Sequence, residues 1–237
     1  MFARPRQSEE GDSWLSVSDL MAGLMVFFLF IAILYIQPLQ RIKIDVEEIV
    51  TAWEEGETLL FEALQEEFSS DLEPWNAEID REELSIRFKS PKVLFDPGSS
   101  QVRPEFQVIL QDFFPRYLGV LQPFYEKGLI EEIRIEGHTS SAWIAASDDE
   151  AYFLNLELSQ DRTRAVLEYA LKLSGAEPYD DWARSLITAN GLSSSRLILT
   201  PAGIEDPERS RRVEFRVKTT TEDRLREILD KLEGVDD

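Results

Sequence analysis

The sequence predicts an α+β protein in two parts: a single N-terminal transmembrane helix, then a sandwich of strands and helices. Three observations carry this. Residues 20–36 form a run of 17 without a charge. Residues 84–89, 130–136 and 212–217 alternate apolar and polar side chains, as half-buried strands do. Between them Phe106, Ile109, Leu110, Phe113, Phe114, Tyr117, Leu118 and Leu121 recur at helical spacing.

Composition excludes several function classes. The chain of 237 residues has room for one soluble domain beside a membrane segment and a connector. Its 46 acidic against 25 basic residues give a formal charge of -21, which argues against neutralising phosphates, so nucleic acid is not an expected partner. With no cysteine there are no disulfides, thiol nucleophiles or cysteine metal sites. The one histidine, His138, excludes a multi-histidine metal centre and a triad with a second histidine.

Residues 1–13 form a short tail and 14–37 the span. From Trp14 to Ile36 a helix would measure about 34 Å at 1.5 Å per residue, enough to cross a bilayer. The flank Ser8, Glu9, Glu10, Gly11 and Asp12 is not basic and no small-x-small site follows at Tyr35, so an uncleaved anchor is expected rather than a signal peptide. Arg4 and Arg6 before the span and Arg41 and Lys43 after it leave orientation open. Asp19 is an ionisable residue in an apolar helix, which makes it a candidate functional residue. In a helix it shares a face with Ala22, Gly23 and Val26. A cap near the headgroups, beside Ser16 and Ser18, is the competing reading.

Residues 38–83 form an acidic helical connector, with fifteen acids and one base between Asp45 and Glu83. Its stripe of Val46, Val50, Trp53, Leu60, Phe61, Leu64 and Phe68 continues a helix past Pro38. Pairing with the same stripe of a second copy is expected, with packing onto the C-terminal domain as the rival. A divalent cation among the carboxylates competes with a merely solvated face.

Residues 84–220 form the soluble domain. After the strand at 84–89, a short strand at 93–95 ends in a turn at Pro97-Gly98. A helix opens at Pro104, with Pro115 expected to bend it. The strand at 130–136 leads through Gly137, His138 and Thr139 into a polar loop past Asp148 and Asp149. A helix over 152–173, a strand at 197–199, an acidic loop and the strand at 212–217 follow. Residues 221–237 hold a charged helix over 221–232. Helices on one face of a mixed sheet are expected.

The segment WLSVSDLMAGLMVFFL from Trp14 resembles the MotB-type stator helix, in which a tryptophan precedes an ion-carrying aspartate and a methionine-rich apolar run. The resemblance implies a cytoplasmic N-terminus, a single pass through the bacterial inner membrane and a periplasmic C-terminal domain. It makes Asp19 the carrier of a coupling ion, H⁺ or Na⁺, with no other cofactor.

Four further segments are similar to the OmpA-like peptidoglycan-binding domain: VLFD at 93–96, IEGHT at 135–139, NLELSQDRTRAV at 155–166 and SRRVEF at 210–215. The resemblance implies a β/α/β/α/β sandwich and recognition of the diaminopimelate of a peptide stem. A carboxylate and an ammonium on that ligand call for one guanidinium and one carboxylate on the protein. Arg162 matches the arginine and Thr139 the threonine, but Ser140 stands where aspartate is expected and Thr163 where alanine is usual. Asp148, Asp149 or Glu150 would have to supply the missing charge. Asn155 either touches ligand or caps a helix, Arg162 is otherwise a solvated helix arginine, and His138 is either a turn residue or a ligand group.

A MotB-like helix joined to an OmpA-like domain resembles the B subunits of ion-driven motors, and the loops around 135–159 and before Ser210 resemble those of the Zorya anti-phage defence type. What this implies is a non-enzymatic homodimer inside a ring of MotA/ZorA-like A subunits, anchored to peptidoglycan. A flagellar stator subunit, a passive wall anchor, and a domain that dimerises without binding wall are the alternatives.

Overall fold

The computed structural model describes residues 10–89 and 91–220; within the first helix it describes the side chains of residues 20–34, 36 and 55 onward. The helix expected over 221–232, the side chains of Asp19, Val46, Val50 and Trp53, and most of the tail at 1–13 lie outside the described residues. The chain divides into two compact units, Met1–Ala52 and Trp53–Asp237.

In the first unit, residues from Glu10 on belong to α1 (Glu10–Phe68), so Asp19 sits in a helix interior and the capping reading fails. From Leu20 to Leu34 every side chain is exposed and none is charged. Among the described residues no helix is long and apolar enough to cross a membrane.

In the second unit, β1 (Ala77–Asp80), β2 (Ser85–Phe88), β3 (Ile130–His138), β4 (Ile187–Gly191) and β5 (Arg212–Thr219) form one sheet in the order β1-β2-β5-β3-β4. All neighbours are antiparallel except β3 and β4, which run parallel. This is the expected α+β domain with a mixed sheet. Side chains alternate across it. Ile86, Phe88, Ile133, Ile135, Val213, Phe215 and Val217 enter the core. Ser85, Arg87, Arg134, Glu136, His138, Arg212 and Glu214 take the alternate positions, on the opposite face.

The core is aromatic, and α3 (Pro104–Glu126) supplies its centre. Phe113 lies 5.1 Å from Phe88, 5.0 Å from Phe215 and 5.2 Å from Phe68, ring centroid to ring centroid. Pro115 and Pro123 both fall inside α3.

Leu60, Leu64 and Phe68 of α1 belong to this core, with Phe61 packed against it. These four members of the connector's stripe therefore cover their own domain, and the expectation that they pair with a second copy is corrected. Arg116 of α3 fixes the contact. It donates to the Glu67 carboxylate at 2.6 Å, the Glu67 carbonyl at 2.9 Å and Asp71 at 2.9 Å, satisfying a carbonyl that a helix end leaves open.

Other expectations shift locally. Residues 93–95 are not a strand: Pro91 opens the short helix α2 (Pro91–Leu94), as proline does at a first helical turn, and Phe95 makes an isolated bridge with Val102. The segment at 197–199 is reduced to a bridge between Leu199 and Glu205. The helix α4 (Asp148–Ala170) starts a turn before 152, because Ser147 and Glu150 form a capping box. A 3₁₀ turn (Ser174–Tyr179), α5 (Asp180–Leu186) and α6 (Pro207–Ser210) complete the unit.

Candidate functional site

A cleft opens where β3 ends, α4 passes over it and β5 begins; Phe95, Gly137, His138, Arg162, Arg211 and Arg212 line it. Glycine at 137 lets α4 approach: a Cβ there would meet Thr163 Cγ2 at 2.6 Å and the Ser159 carbonyl at 3.0 Å. Thr163, in the place where alanine is usual, supplies that methyl group. The close approach sets Arg162, one residue earlier on α4, over the strand end.

Arg162 is fixed by backbone. Its Nε donates to the Ser99 carbonyl at 2.8 Å and its Nη2 to the Asp96 carbonyl at 3.2 Å, while the guanidinium lies 4.8 Å from the centre of the Phe95 ring. The carbonyls belong to a turn closed by Ser99 N donating to the Asp96 carbonyl, with Gly98 at φ 70° where an L side chain would be strained. Burial and the nearby Arg211 charge lower the Arg162 pKa to about 10. Neither Arg162 nor Arg211 makes an ion pair among the described residues. Two guanidinium groups without an ion-pair partner among the described residues leave the cleft positively charged.

The other expected site residues lie around it. Ser140 is buried, and its Oγ accepts from Arg211 Nη1 at 3.5 Å. Thr139 and Asn155 are each 3% exposed, and Thr139 Oγ1 and Asn155 Nδ2 are buried without a hydrogen-bond partner. Asn155 lies well inside α4, so it does not cap that helix. His138 is the last residue of β3 rather than part of a turn. Glu150 accepts from the Ser147 backbone and hydroxyl in the capping box of α4. Asp19 belongs to the first unit, and its side chain lies outside the described residues.

Arg211 and Arg212 were not singled out as site residues from the sequence; the adjacent arginines of the SRRVEF segment were the available signal.

Beside the cleft, Glu136 and Glu214 stand directly opposite each other on β3 and β5, an unfavourable pairing for like charges. With His138 they offer ligand atoms within 4.8 Å of one another. Guanidinium groups already compensate these carboxylates. Glu214 Oε1 lies 2.5 Å from Arg212 Nε and 3.0 Å from Arg87 Nε, and Arg196 Nη1 lies 3.5 Å from Glu136 Oε2. A divalent cation would enter against three positive charges, so the donor set fits an internal ion network better than a metal. Burial opposes ionisation of both acids, but the surrounding charges outweigh it and hold both below the usual carboxylate range. Burial lowers the pKa of His138, keeping its ring neutral.

Arg162, on α4, and Arg211, just before β5, thus stand at one end of a mixed sheet, with Arg162 over the turn that follows Phe95. The OmpA family model matches residues 94–218. The chain belongs to the OmpA family and, through a match over nearly its whole length, to the family of Zorya protein ZorB. ZorB of Escherichia coli is 46% identical over 226 residues, covering 95% of each chain. Neither is an enzyme family. Solved structures with a similar fold include the cell wall anchor of the T6SS from Pseudomonas aeruginosa, at 24% identity and TM-score 0.46 over 66% of this chain and 96% of that one. A putative MotB-like protein from Desulfovibrio vulgaris, at 24% identity, has TM-score 0.45 over 73% and 94%. The periplasmic domain of Helicobacter pylori MotB, at 16% identity, has TM-score 0.41 over 62% and 84%.

Proposed function

We propose that this chain is the B subunit of an ion-driven membrane motor of the Zorya anti-phage defence type. The observation that carries the reading is the 46% identity to ZorB across 95% of both chains. Residues 14–37 cross the inner membrane once, with the N-terminus cytoplasmic and the OmpA-family domain periplasmic. The helix supports this: from Leu20 to Leu34 it is apolar on every side and exposed, a surface that water does not tolerate but lipid does.

Asp19 carries the coupling ion, H⁺ or Na⁺. Two copies of the helix sit inside a ring of MotA/ZorA-like A subunits, and their aspartates load and release ions in turn. A potential of 100 mV supplies about 2.3 kcal/mol per elementary charge moved, enough to bias steps around the ring. The domain holds peptidoglycan through Arg162, with Thr139, Ser140 and Asn155 around it, and so gives the motor a fixed point.

The test is Asp19→Asn in cells carrying the complete defence system. Assembly with the A subunit, read by co-purification, is expected to persist while protection against phage is lost. Undiminished protection would remove the ion-carrying role and leave a passive wall anchor, for which Arg162→Ala rather than Asp19→Asn would be the damaging change.

A further inference from the structure

Ser140 stands where the OmpA-type pattern carries an aspartate, so the arginine cleft lacks a carboxylate at that position. A carboxylate reaches the same loop from another part of the chain. The hairpin over 198–206 is held by Asp206 N donating to the Ile198 carbonyl at 2.8 Å and Thr200 N donating to the Ile204 carbonyl at 2.7 Å. Gly203 turns it at φ 76°. Glu205 at its end accepts from Ser141 N at 3.0 Å and from the Ser141 hydroxyl.

The next residue, Asp206, caps α6 by accepting from the backbone N–H groups of Glu208 and Arg209. That single turn delivers Arg211, whose Nη1 reaches the Ser140 hydroxyl. One braced segment thus sets an acid on Ser141 and a base on Ser140. A carboxylate has about four acceptor positions, and Ser141 uses two of those on Glu205, so it can still take an ammonium. Buried in the same loop and on α4, Thr139 Oγ1 and Asn155 Nδ2 lack partners.

We propose that Glu205 is the ammonium-binding carboxylate of this cleft, so that the site takes a zwitterionic amino-acid end, with its carboxylate on Arg162 and Arg211 and its ammonium on Glu205. Here Glu205 does from the 198–206 hairpin what an aspartate at 140 would do from the β3 loop. The assignment rests on the reading that the domain binds peptidoglycan.

The experiment is a pulldown of the full chain on purified peptidoglycan, competed with free diaminopimelate or with pimelate, which has the same carbon chain without the amines. Wild type is expected to bind and to release more readily with diaminopimelate. Glu205→Gln, which keeps the shape and an acceptor for Ser141, should bind about ten-fold more weakly, the loss expected of one charge-assisted bond. It should also lose the preference for diaminopimelate, and adding Ser140→Asp should restore both. Retained affinity and preference in Glu205→Gln would overturn the assignment while leaving the peptidoglycan reading intact. Failure of wild type to bind would overturn both. Should Glu205→Gln unfold, Ser140→Asp alone decides. An unchanged preference is expected, whereas a ten-fold gain would mean the wild-type cleft had no ammonium partner and would overturn the assignment.

Discussion

A Cβ on Gly191 would stand 2.2 Å from the backbone nitrogen of Gln160, so α4 rests directly on the edge strand β4. The obstruction is backbone and cannot rotate away. Gly137 on β3 meets α4 in the same manner, through Thr163 and Ser159. These two glycines set the height of the helix that carries Arg162.

Gly191→Ala is therefore expected to destabilise the domain by about 3 kcal/mol, the upper range for forcing a methyl into a packed interior. Urea unfolding measures it. At Gly137 the nearest obstacle is a side-chain methyl, so Thr163→Ser should recover part of the loss from Gly137→Ala. A double-mutant cycle reads the coupling, and strictly additive losses would show that the helix shifts instead.

The end of α1 belongs to the domain, and its removal should show this. Leu64→Ala is expected to cost about 2–5 kcal/mol and Phe68→Ala about 3–5 kcal/mol. A fragment beginning at residue 84 lacks Leu60, Leu64, Phe68 and β1 and uncovers Phe113, whereas one beginning at 53 keeps them all. The shorter fragment should show no cooperative melting and the longer one a sharp transition. Equal melting of the two would mean that the α1 contacts contribute nothing.

What the sequence revealed followed the strength of its periodicity. Phe106 to Leu121 repeats over several turns, and β5 alternates with large apolar residues, so both were legible. The strand β4 reads Ile-Thr-Ala-Asn-Gly and pairs on one side only, which leaves little alternation to detect. The strand β1 was hidden in the acidic connector because Glu78 and Asp80 point to the charged face, where Arg87 meets Asp80 at 2.6 Å. The motif around Arg162 was readable as a local pattern. Arg211 and Glu205 join the site only through chain separations of 71 and 64 residues, which no local pattern encodes.

Acid should lower the stability of the domain in two phases. His138 is 3% exposed, with Glu136, Glu214 and Arg212 around it, and burial holds its pKa below the ordinary value in the folded state. The unfolded chain takes that proton near pH 6.5, so it binds more protons than the folded chain below this pH, and stability falls as pH drops. One site sets a limit of about 1.4 kcal/mol per pH unit. Because the chain has a single histidine, a slope between pH 7 and 5.5 that His138→Asn removes can be assigned to it. Glu136 and Glu214 act later. Their folded pKa values are depressed, so their contribution is complete above the ordinary carboxylate value of about 4.3 and is lost as pH falls through the folded values. Melting temperature against pH should show a shallow decline below 6.5 and a steeper one below about 4.3. A rise in stability between pH 7 and 5.5 would mean that His138 charges between the two carboxylates in the folded state, and the neutral assignment would fail.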